Sequence, residues 1–426
     1  MKRIHPDEFD CIKYPLLNTL EKRRILRVLK DVKKKGDKAV RKWTRRFDGT
    51  DTSNLQVPEA AVKKAFSRMD KELLRAMDFA ARNILSFAQK QLEMYKSFDW
   101  SPLPGLVLGQ RIIPLKRVGI YVPGGRYPLF SSLLMGVLPA VAAGVEEVTV
   151  CTPPNHDGDI HPAILAAARM AGVKEIFKVG GIQAVAALAY GTESIKRVDM
   201  IVGPGNRYVT AAKKYVFGKV GIDFIAGPSE VMIVADRSAD AGFIAADLIA
   251  QAEHDEYARP ILVTDSRELA DRVDEEIAGQ LSMMQETHVA RAALRNNGQT
   301  VLVENLKQAL DLVNRGAPEH LEIHLKNATS FAGRVRNFGS LFIGKYSAEV
   351  LGDYSAGINH ILPTGMSARY TGGLSVGHFL KVQTVMRAKK KGFLSAGPPA
   401  FKMAEAEGLE GHTRAVALRL NRTRLS

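Results

Sequence analysis

The chain has 426 residues, 46% of them hydrophobic, which is enough for a large buried core and for two or more domains. Its formal net charge is +15, but the basic runs Lys33 to Lys35, RKWTRRF and Lys389 to Lys391 read as solvated helix faces or ends. They lack basic-aromatic alternation, so nucleic acid is not an expected partner. The two cysteines, Cys11 and Cys151, argue against a disulfide framework and for a reducing, cytoplasmic home.

The opening MKRIHPDEFDCIKY is charged with no apolar run behind it, so no signal peptide is expected. From about Thr19 to Phe98 the chain reads as helix: Leu20, Ile25, Val28, Leu29 and Val32 recur at helical spacing, and a second run covers Glu59 to Met94. The longest uncharged stretch, Pro128 to Val145, approaches membrane-spanning length. Ser131, Ser132, Gly136, Pro139 and Gly144 interrupt it, so it reads as a buried helix and no membrane partner is expected.

From Val118 the texture changes. VGIYV, EEVTVCTPP, EIFKVG and DMIVGPG read as strands, alternating with helices in PAILAAARMAG, IQAVAALAYG and NRYVTAAKKYVFG. IDFIAGPSEVMIVAD is strand material. A second alternating stretch follows, with strands PILVTDS, TVLVEN and GSLFIGK between helices. Such alternation predicts parallel sheets covered by helices on both faces. The tail from about Ser375 reads as mainly helical. The fold class is α/β, with two Rossmann-like, incomplete doubly wound domains, an N-terminal helical segment and a helical C-terminal extension.

Several dispersed polar residues fit one small metal-and-base site. Gln251 and His254 are three apart, so on a helix they share a face. With Asp353 and His412 they offer an amide oxygen, two imidazoles and a carboxylate, a donor set suited to Zn²⁺. Glu319 and His320 remain as proton-transfer candidates. Adjacent side chains in a strand point to opposite faces, so a shared site requires a turn there, and Gly316 and Pro318 supply one. Taken singly, each residue has an ordinary reading: a turn aspartate at Asp353, a surface or core histidine at His412, a strand edge at Glu319 and His320. The dinucleotide fingerprint G-x-G-x-x-G and the P-loop are absent. PGGRYP and GPGNRY each sit between an expected strand and helix. There, free backbone N–H groups could meet phosphate, or glycine could serve only a tight turn.

The strings VGIYVPGGRYPLFSSLLMGVLPAVAAGV, VGGIQAVAALAYGT, DMIVGPGNRYVTAAKKYVFGKVGIDFIAGPSEVMIVAD, APEHLEI and GDYSAGINHILPT make the chain resemble the histidinol dehydrogenase family from about Gly119 to the C-terminus. The resemblance implies Zn²⁺ held by Gln251, His254, Asp353 and His412, and NAD contacts from Tyr121, Gln183 and Asn206. It implies substrate contacts from Ser229, His360 and Glu407 together with His320 and the metal ligands. Glu319 and His320 would be the proton acceptors, and the active sites would be shared across a homodimer. The implied activity is a four-electron, NAD-dependent oxidation of L-histidinol to L-histidine through a bound aldehyde, in histidine biosynthesis. The alternative is a paralogue acting on another primary alcohol, such as the sulfonated diol dihydroxypropanesulfonate. The chain departs from the family pattern at Ile182, Tyr127, Phe130, Gly377 to Phe379, and Lys381 and Val382; GSLFIG and ARYTGGL resemble the paralogues that act on sulfonated diols, while GPSE, APEHLEI and the pair Glu407 and His412 favour histidinol. The expected division is an N-terminal segment (1–20), a metal-bearing α/β domain (21–120 with 229–374), an NAD-binding domain (121–228) and a C-terminal extension (375–426). Cys151, at the end of an expected strand, raises a rival thiol route through a thiohemiacetal. As a small buried hydrophobe it would carry no chemistry.

Overall fold

Two parallel sheets carry the chain, and a small antiparallel sheet lies beside them. The structure is a computed structural model that describes residues 1–9, 17–51, 54–124 and 127–424. Cys11, and Gly125 and Arg126 of PGGRYP, lie outside the described residues.

Strand β1 (Lys2–Ile4) is followed by helices α1 (Thr19–Asp48), α2 (Glu59–Arg68) and α3 (Lys71–Leu92). Next come β2 (Phe98–Leu103), β3 (Leu106–Pro114), β4 (Arg117–Tyr121), α4 (Phe130–Ala143) and β5 (Glu147–Thr152). The alternation continues through α5 (Pro162–Met170), β6 (Glu175–Lys178), α6 (Gly181–Tyr190), β7 (Met200–Val202), α7 (Arg207–Val216) and β8 (Gly221–Ile222). A second series holds β9 (Glu230–Ala235), α8 (Ala241–Ala252), β10 (Arg259–Thr264), α9 (Arg267–Met283), α10 (His288–Asn296) and β11 (Gln299–Leu302). It closes with α11 (Leu306–Gly316), β12 (His320–His324), α12 (Ala328–Ala332), β13 (Ser340–Ile343) and α13 (Glu349–Tyr354). The tail is β14 (Leu380–Ala388), α14 (Lys390–Ala406) and α15 (Glu410–Arg424).

The five-stranded sheet has the order β6-β5-β4-β7-β8, all parallel. Winding runs outward from β4 to β6, then crosses to β7, so the direction reverses beside β4. In open α/β sheets such a switch point leaves a crevice at the carboxyl ends of the strands. The six-stranded sheet, β1-β11-β10-β9-β12-β13, is also wholly parallel. Its central strands EVMIVA and RPILVT are buried at every residue, as a sheet covered on both faces requires.

The expected grouping of the N-terminal helices with residues 229–374 differs from the packing. Ile25, Val28, Leu29 and Val32 of α1 share a core with Val185 and Leu188 of α6. Val62 of α2 and Ile84 of α3 join the core around α4 and β5. These helices therefore cover the five-stranded sheet, because its helix layer exposes a second apolar face that needs covering. Strand β4, residues 117–121, also belongs there. A second difference lies in the tail, where Leu380–Ala388 is a strand paired antiparallel with β3. Its Val382, Thr384 and Val385 are β-formers, which outweigh a helical reading of the segment. The apolar run after PGGRYP is α4, buried as expected. Among the described residues no helix is long and apolar enough to cross a membrane.

Candidate active site

The sharpest polar cluster lies at the amino edge of the six-stranded sheet. Helix α11 stops at Gly316, and Ala317 turns the chain in the left-handed region at φ 43°, a conformation that costs a residue bearing a Cβ. Pro318 follows, and His320 opens β12. The turn lets adjacent residues share one pocket. The Glu319 carboxylate accepts the Glu230 backbone N–H at 2.8 Å, and its Oε2 lies 3.8 Å from His320 Nδ1. The main chain of Glu319 is held as well, its carbonyl accepting the Ser340 N–H at 2.8 Å.

Helix α13 brings the facing carboxylates. Glu349 and Asp353 are four residues apart and so lie on one face. Glu349 Oε1 stands 3.4 Å from His320 Nδ1, and Asp353 Oδ1 stands 3.8 Å from His320 Nε2. His320, Glu349 and Asp353 each present a ligating atom within 4.8 Å of the others.

Helix α8 ends at Ala252, so Gln251 is in its last turn and His254 lies just beyond, in a turn that keeps the two close. Gln251 is fully buried. With its nitrogen turned to the Glu349 carboxylate, 3.1 Å from Oε2, its oxygen accepts the Glu230 N–H at 3.2 Å and keeps a second lone pair. His254 Nε2 lies 3.9 Å from Asp353 Oδ2, with its side chain 43% exposed, so this imidazole forms the open side of the pocket.

His360 closes the far wall. Its Nδ1 contacts the Asp353 carbonyl at 2.9 Å and its Nε2 contacts Ser132 Oγ at 3.0 Å. Ser132 lies in the first turn of α4, which rises from the carboxyl end of β4. The pocket thus occupies the seam where the amino edge of one sheet meets the carboxyl edge of the other.

Burial dominates the electrostatics. It pushes Glu319 and Glu349 well above the usual carboxyl range, and lifts Asp353 to about 6 although His254 pulls it down. It lowers His320 to about 3, with His254 adding to the effect, and His360 to about 4. Both imidazoles are neutral at pH 7. Neither ring nitrogen of buried His320 has a hydrogen-bond partner, and among the described residues no lysine or arginine pairs with Glu319, Glu349 or Asp353. A buried, acid-rich pocket with unsatisfied nitrogens and no fixed cation has the chemistry of a metal site.

The residues expected to meet a dinucleotide lie along the carboxyl edge of the five-stranded sheet. Tyr121 ends β4 and its hydroxyl accepts the Gly181 N–H at 3.2 Å; burial first of all raises it to about 12. Gln183 is fully buried in the first turn of α6, with Oε1 unpartnered. Asn206 caps α7 by accepting the N–H groups of Tyr208 and Val209. Among the described residues no N-cap side chain closes α6 or α4; the first N–H of α6 goes to Tyr121 and that of α4 to the Pro128 carbonyl, which leaves the next N–H groups open to an anion. Gly203, at φ 120°, lies so close to the Tyr121 carbonyl that a Cβ would come within 2.0 Å of it. These features fit a nucleotide's phosphates and hydroxyls.

Ser229 precedes β9, half-buried, its carbonyl accepting the Arg259 N–H at 2.9 Å. Glu407 and His412 are exposed on the helical extension. Among the described residues no side-chain hydrogen bond or ion pair joins them to the pocket.

A sequence model of the histidinol dehydrogenase family matches residues 18–420. The chain belongs to the histidinol dehydrogenase family. It is 46% identical over 394 residues to histidinol dehydrogenase of Lactiplantibacillus plantarum, spanning 92% of this chain and 91% of that one. Identity to histidinol dehydrogenase of Methanosarcina mazei is 45% over 392 residues, spanning 92% and 90%. A crystal structure of histidinol dehydrogenase from Elizabethkingia anophelis matches with a TM-score of 0.93 and 36% identity, covering 100% of this chain and 99% of that one. The chain is therefore a dehydrogenase.

Sequence reasoning did not single out Glu349, Glu230 or Ser132. The i,i+4 spacing of Glu349 and Asp353 was a usable signal; Ser132 and Glu230 gave none, since only the fold brings them to the pocket. Cys151 is fully buried in β5, and burial raises its thiol far above the ordinary range, away from the reactive thiolate. Cys151→Ala should leave turnover within about twofold of the parent in steady-state NAD⁺ reduction. Loss of turnover in a folded variant would revive the thiol route.

Proposed function

We propose that this dehydrogenase oxidises L-histidinol to L-histidine in two successive two-electron steps. The observation that carries the reading is the pairing of one buried carboxyl, Glu319, with one neutral imidazole, His320, at the wall of an acid-rich pocket. Gln251, His254 and Asp353 would hold a divalent cation there, with His412 of a second copy completing the set. Bound Zn²⁺ would supply a Lewis acid that grips the substrate's nitrogens, and two NAD⁺ would accept the electrons at the crevice near Tyr121, Gln183 and Asn206.

The chain's own groups divide the proton work. His320 is held neutral by burial, so it has a lone pair at pH 7; with Nδ1 facing Glu349, Nε2 is the free base. It removes the hydroxyl proton as the alcohol becomes an aldehyde. Glu319 then removes a proton from water, which adds to the aldehyde and gives a hydrate. His320 serves again as the hydrate becomes the acid. Burial alone would keep Glu319 protonated; a neighbouring cation would restore its carboxylate. His360, at the wall of the pocket, and Ser229 would contact the substrate. The pocket's buried walls keep the reactive aldehyde from solvent.

The active sites are shared across a homodimer in this reading. Two features support it: His254 leaves one side of the pocket open, and Glu407 and His412 lie exposed on an extension that makes no side-chain hydrogen bond or ion pair with its own pocket among the described residues. The two domains are the metal-bearing six-stranded unit and the NAD-binding five-stranded unit. Biosynthetic work in the cytoplasm fits the scarcity of cysteine.

The function is tested by NAD⁺ reduction with L-histidinol and, as a control, dihydroxypropanesulfonate, each with and without a chelator. Turnover of histidinol alone, abolished by the chelator and restored by Zn²⁺, is expected; inertness toward histidinol would refute the assignment. Glu319→Gln should slow oxidation of supplied aldehyde by about 10²- to 10⁴-fold while slowing alcohol oxidation far less. Equal losses in both half-reactions would contradict the division of labour. Co-expression of His412→Ala and His320→Ala chains should return about a quarter of wild-type activity, since hybrid dimers regain one intact site. No recovery in verified hybrids would place each site within one subunit.

A further inference from the structure

We infer that Asp48 is the carboxylate that binds the adenosine ribose of the dinucleotide and turns away a 2′-phosphate. This rests on the reading of Tyr121, Gln183 and Asn206 as the dinucleotide site. In ordinary dinucleotide-binding folds an acidic residue near the end of the second strand accepts hydrogen bonds from the ribose diol. Here the second strand by winding is β5, which ends at Thr152 and runs into Pro153 and Pro154. The acids beyond it are committed elsewhere or point outward: Asp159 pairs with Lys178 at 3.3 Å, and Asp157 is exposed.

Asp48 reaches this edge from outside the sheet. It is the last residue of α1, and Gly49, in the left-handed region, ends the helix there. The packing of α1 along α6 sets that end over the start of α6. The Asp48 Oδ2 atom accepts Gln183 Nε2 at 3.1 Å, and its carbonyl accepts Thr50 Oγ1 at 2.9 Å. No lysine or arginine pairs with Asp48 among the described residues. Burial raises its carboxyl to about 6, and the bond from Gln183 only partly offsets this. Beside it, Gln183 Oε1 is buried with no partner. A half-buried carboxylate without a cation is an acceptor for hydroxyl donors, and the buried Gln183 amide behind it holds it in place.

The position along the crevice fits the adenosine end. The catalytic cluster reaches the five-stranded sheet at the start of α4, through the contact of His360 with Ser132. A nicotinamide must lie there. Asp48 and Gln183 lie near the ends of β4 and β5, where Tyr121 meets the Gly181 N–H and Gly180 packs on Pro153, on the face that carries α1 and α6 rather than the face that carries α4, so the other half of an extended dinucleotide falls there. A 2′-phosphate at this point would meet a like charge with no cation to offset it.

The test is equilibrium binding of NAD⁺, NADP⁺ and 2′-deoxy-NAD⁺ to the full-length protein, read by calorimetry on the parent and on Asp48→Asn and Asp48→Ser. The parent should prefer NAD⁺ to NADP⁺ by at least about tenfold. Both variants should lose roughly tenfold in NAD⁺ affinity, favour NAD⁺ by less than about threefold, and bind 2′-deoxy-NAD⁺ as well as NAD⁺. Asn keeps the shape and the acceptor for Gln183, so folding should survive, and a thermal melt checks it. Asn206→Ser and Gln183→Ala separate the two levels of the argument. If both bind NAD⁺ normally, the site reading and the Asp48 inference fall together. If they weaken it while both Asp48 variants keep parental affinity and preference, only the role of Asp48 is overturned.

Discussion

The structure turns on a concentration of buried acid that no basic side chain among the described residues answers. Glu319, Glu349 and Asp353 surround one neutral imidazole inside a single pocket. Burying even one unpaired carboxylate costs several kcal/mol, so these groups hold protons or need a cation. Either outcome is reversible. A pocket that exchanges a proton for a divalent ion is an unsuitable stabilising core, but it suits acid and base chemistry, where protons must move. The rest of the fold supports this arrangement.

Much of that support is backbone. The Glu230 N–H anchors the Glu319 carboxylate, while the Glu230 side chain is taken up by Arg259 at 3.4 Å and by the Gly365 N–H at 3.0 Å. Glu322, two residues after His320, accepts the Glu349 N–H at 2.7 Å and so fixes the start of α13. Its other oxygen lies 3.1 Å from His324 Nε2, and repulsion from Glu322, after burial, helps lift Asp247 to about 8. The acidic character therefore continues behind the pocket wall. These bonds hold the Glu319 carboxylate and the start of α13, and with them the carboxylates that face His320, in a fixed geometry.

The site also explains why two sheets are needed. Ligands of open α/β sheets collect at the carboxyl ends of strands, at the point where winding reverses. The five-stranded sheet follows that rule beside β4. The six-stranded sheet does not: Glu230 and His320 stand at the amino ends of β9 and β12, and Gln251 at the carboxyl end of α8. The amino edge of one sheet thus presents buried titratable groups to the carboxyl edge of the other. Neither sheet alone brings His360 against Ser132, so the seam itself is the functional unit.

How much of this was legible in the sequence follows from distance along the chain. Alternating apolar strands and helices gave both parallel sheets, because that periodicity is local. The turn before His320 could be anticipated from Gly316 and Pro318, although Ala317 takes the left-handed conformation. Contacts between remote segments were not legible: Glu349 against His320, Arg259 under Glu230, and α1 laid along α6 rather than the six-stranded sheet. The strand β14 was hidden for a related reason, since its pairing with β3 is set by residues more than 250 positions away. That same sheet leaves Phe98, Trp100, Val382 and Met386 more than half exposed. An antiparallel sheet with apolar groups bare to water has its driving force unspent. The proposed second copy would cover part of it while bringing His412 to the open side of the pocket at His254, so one association would answer both deficits.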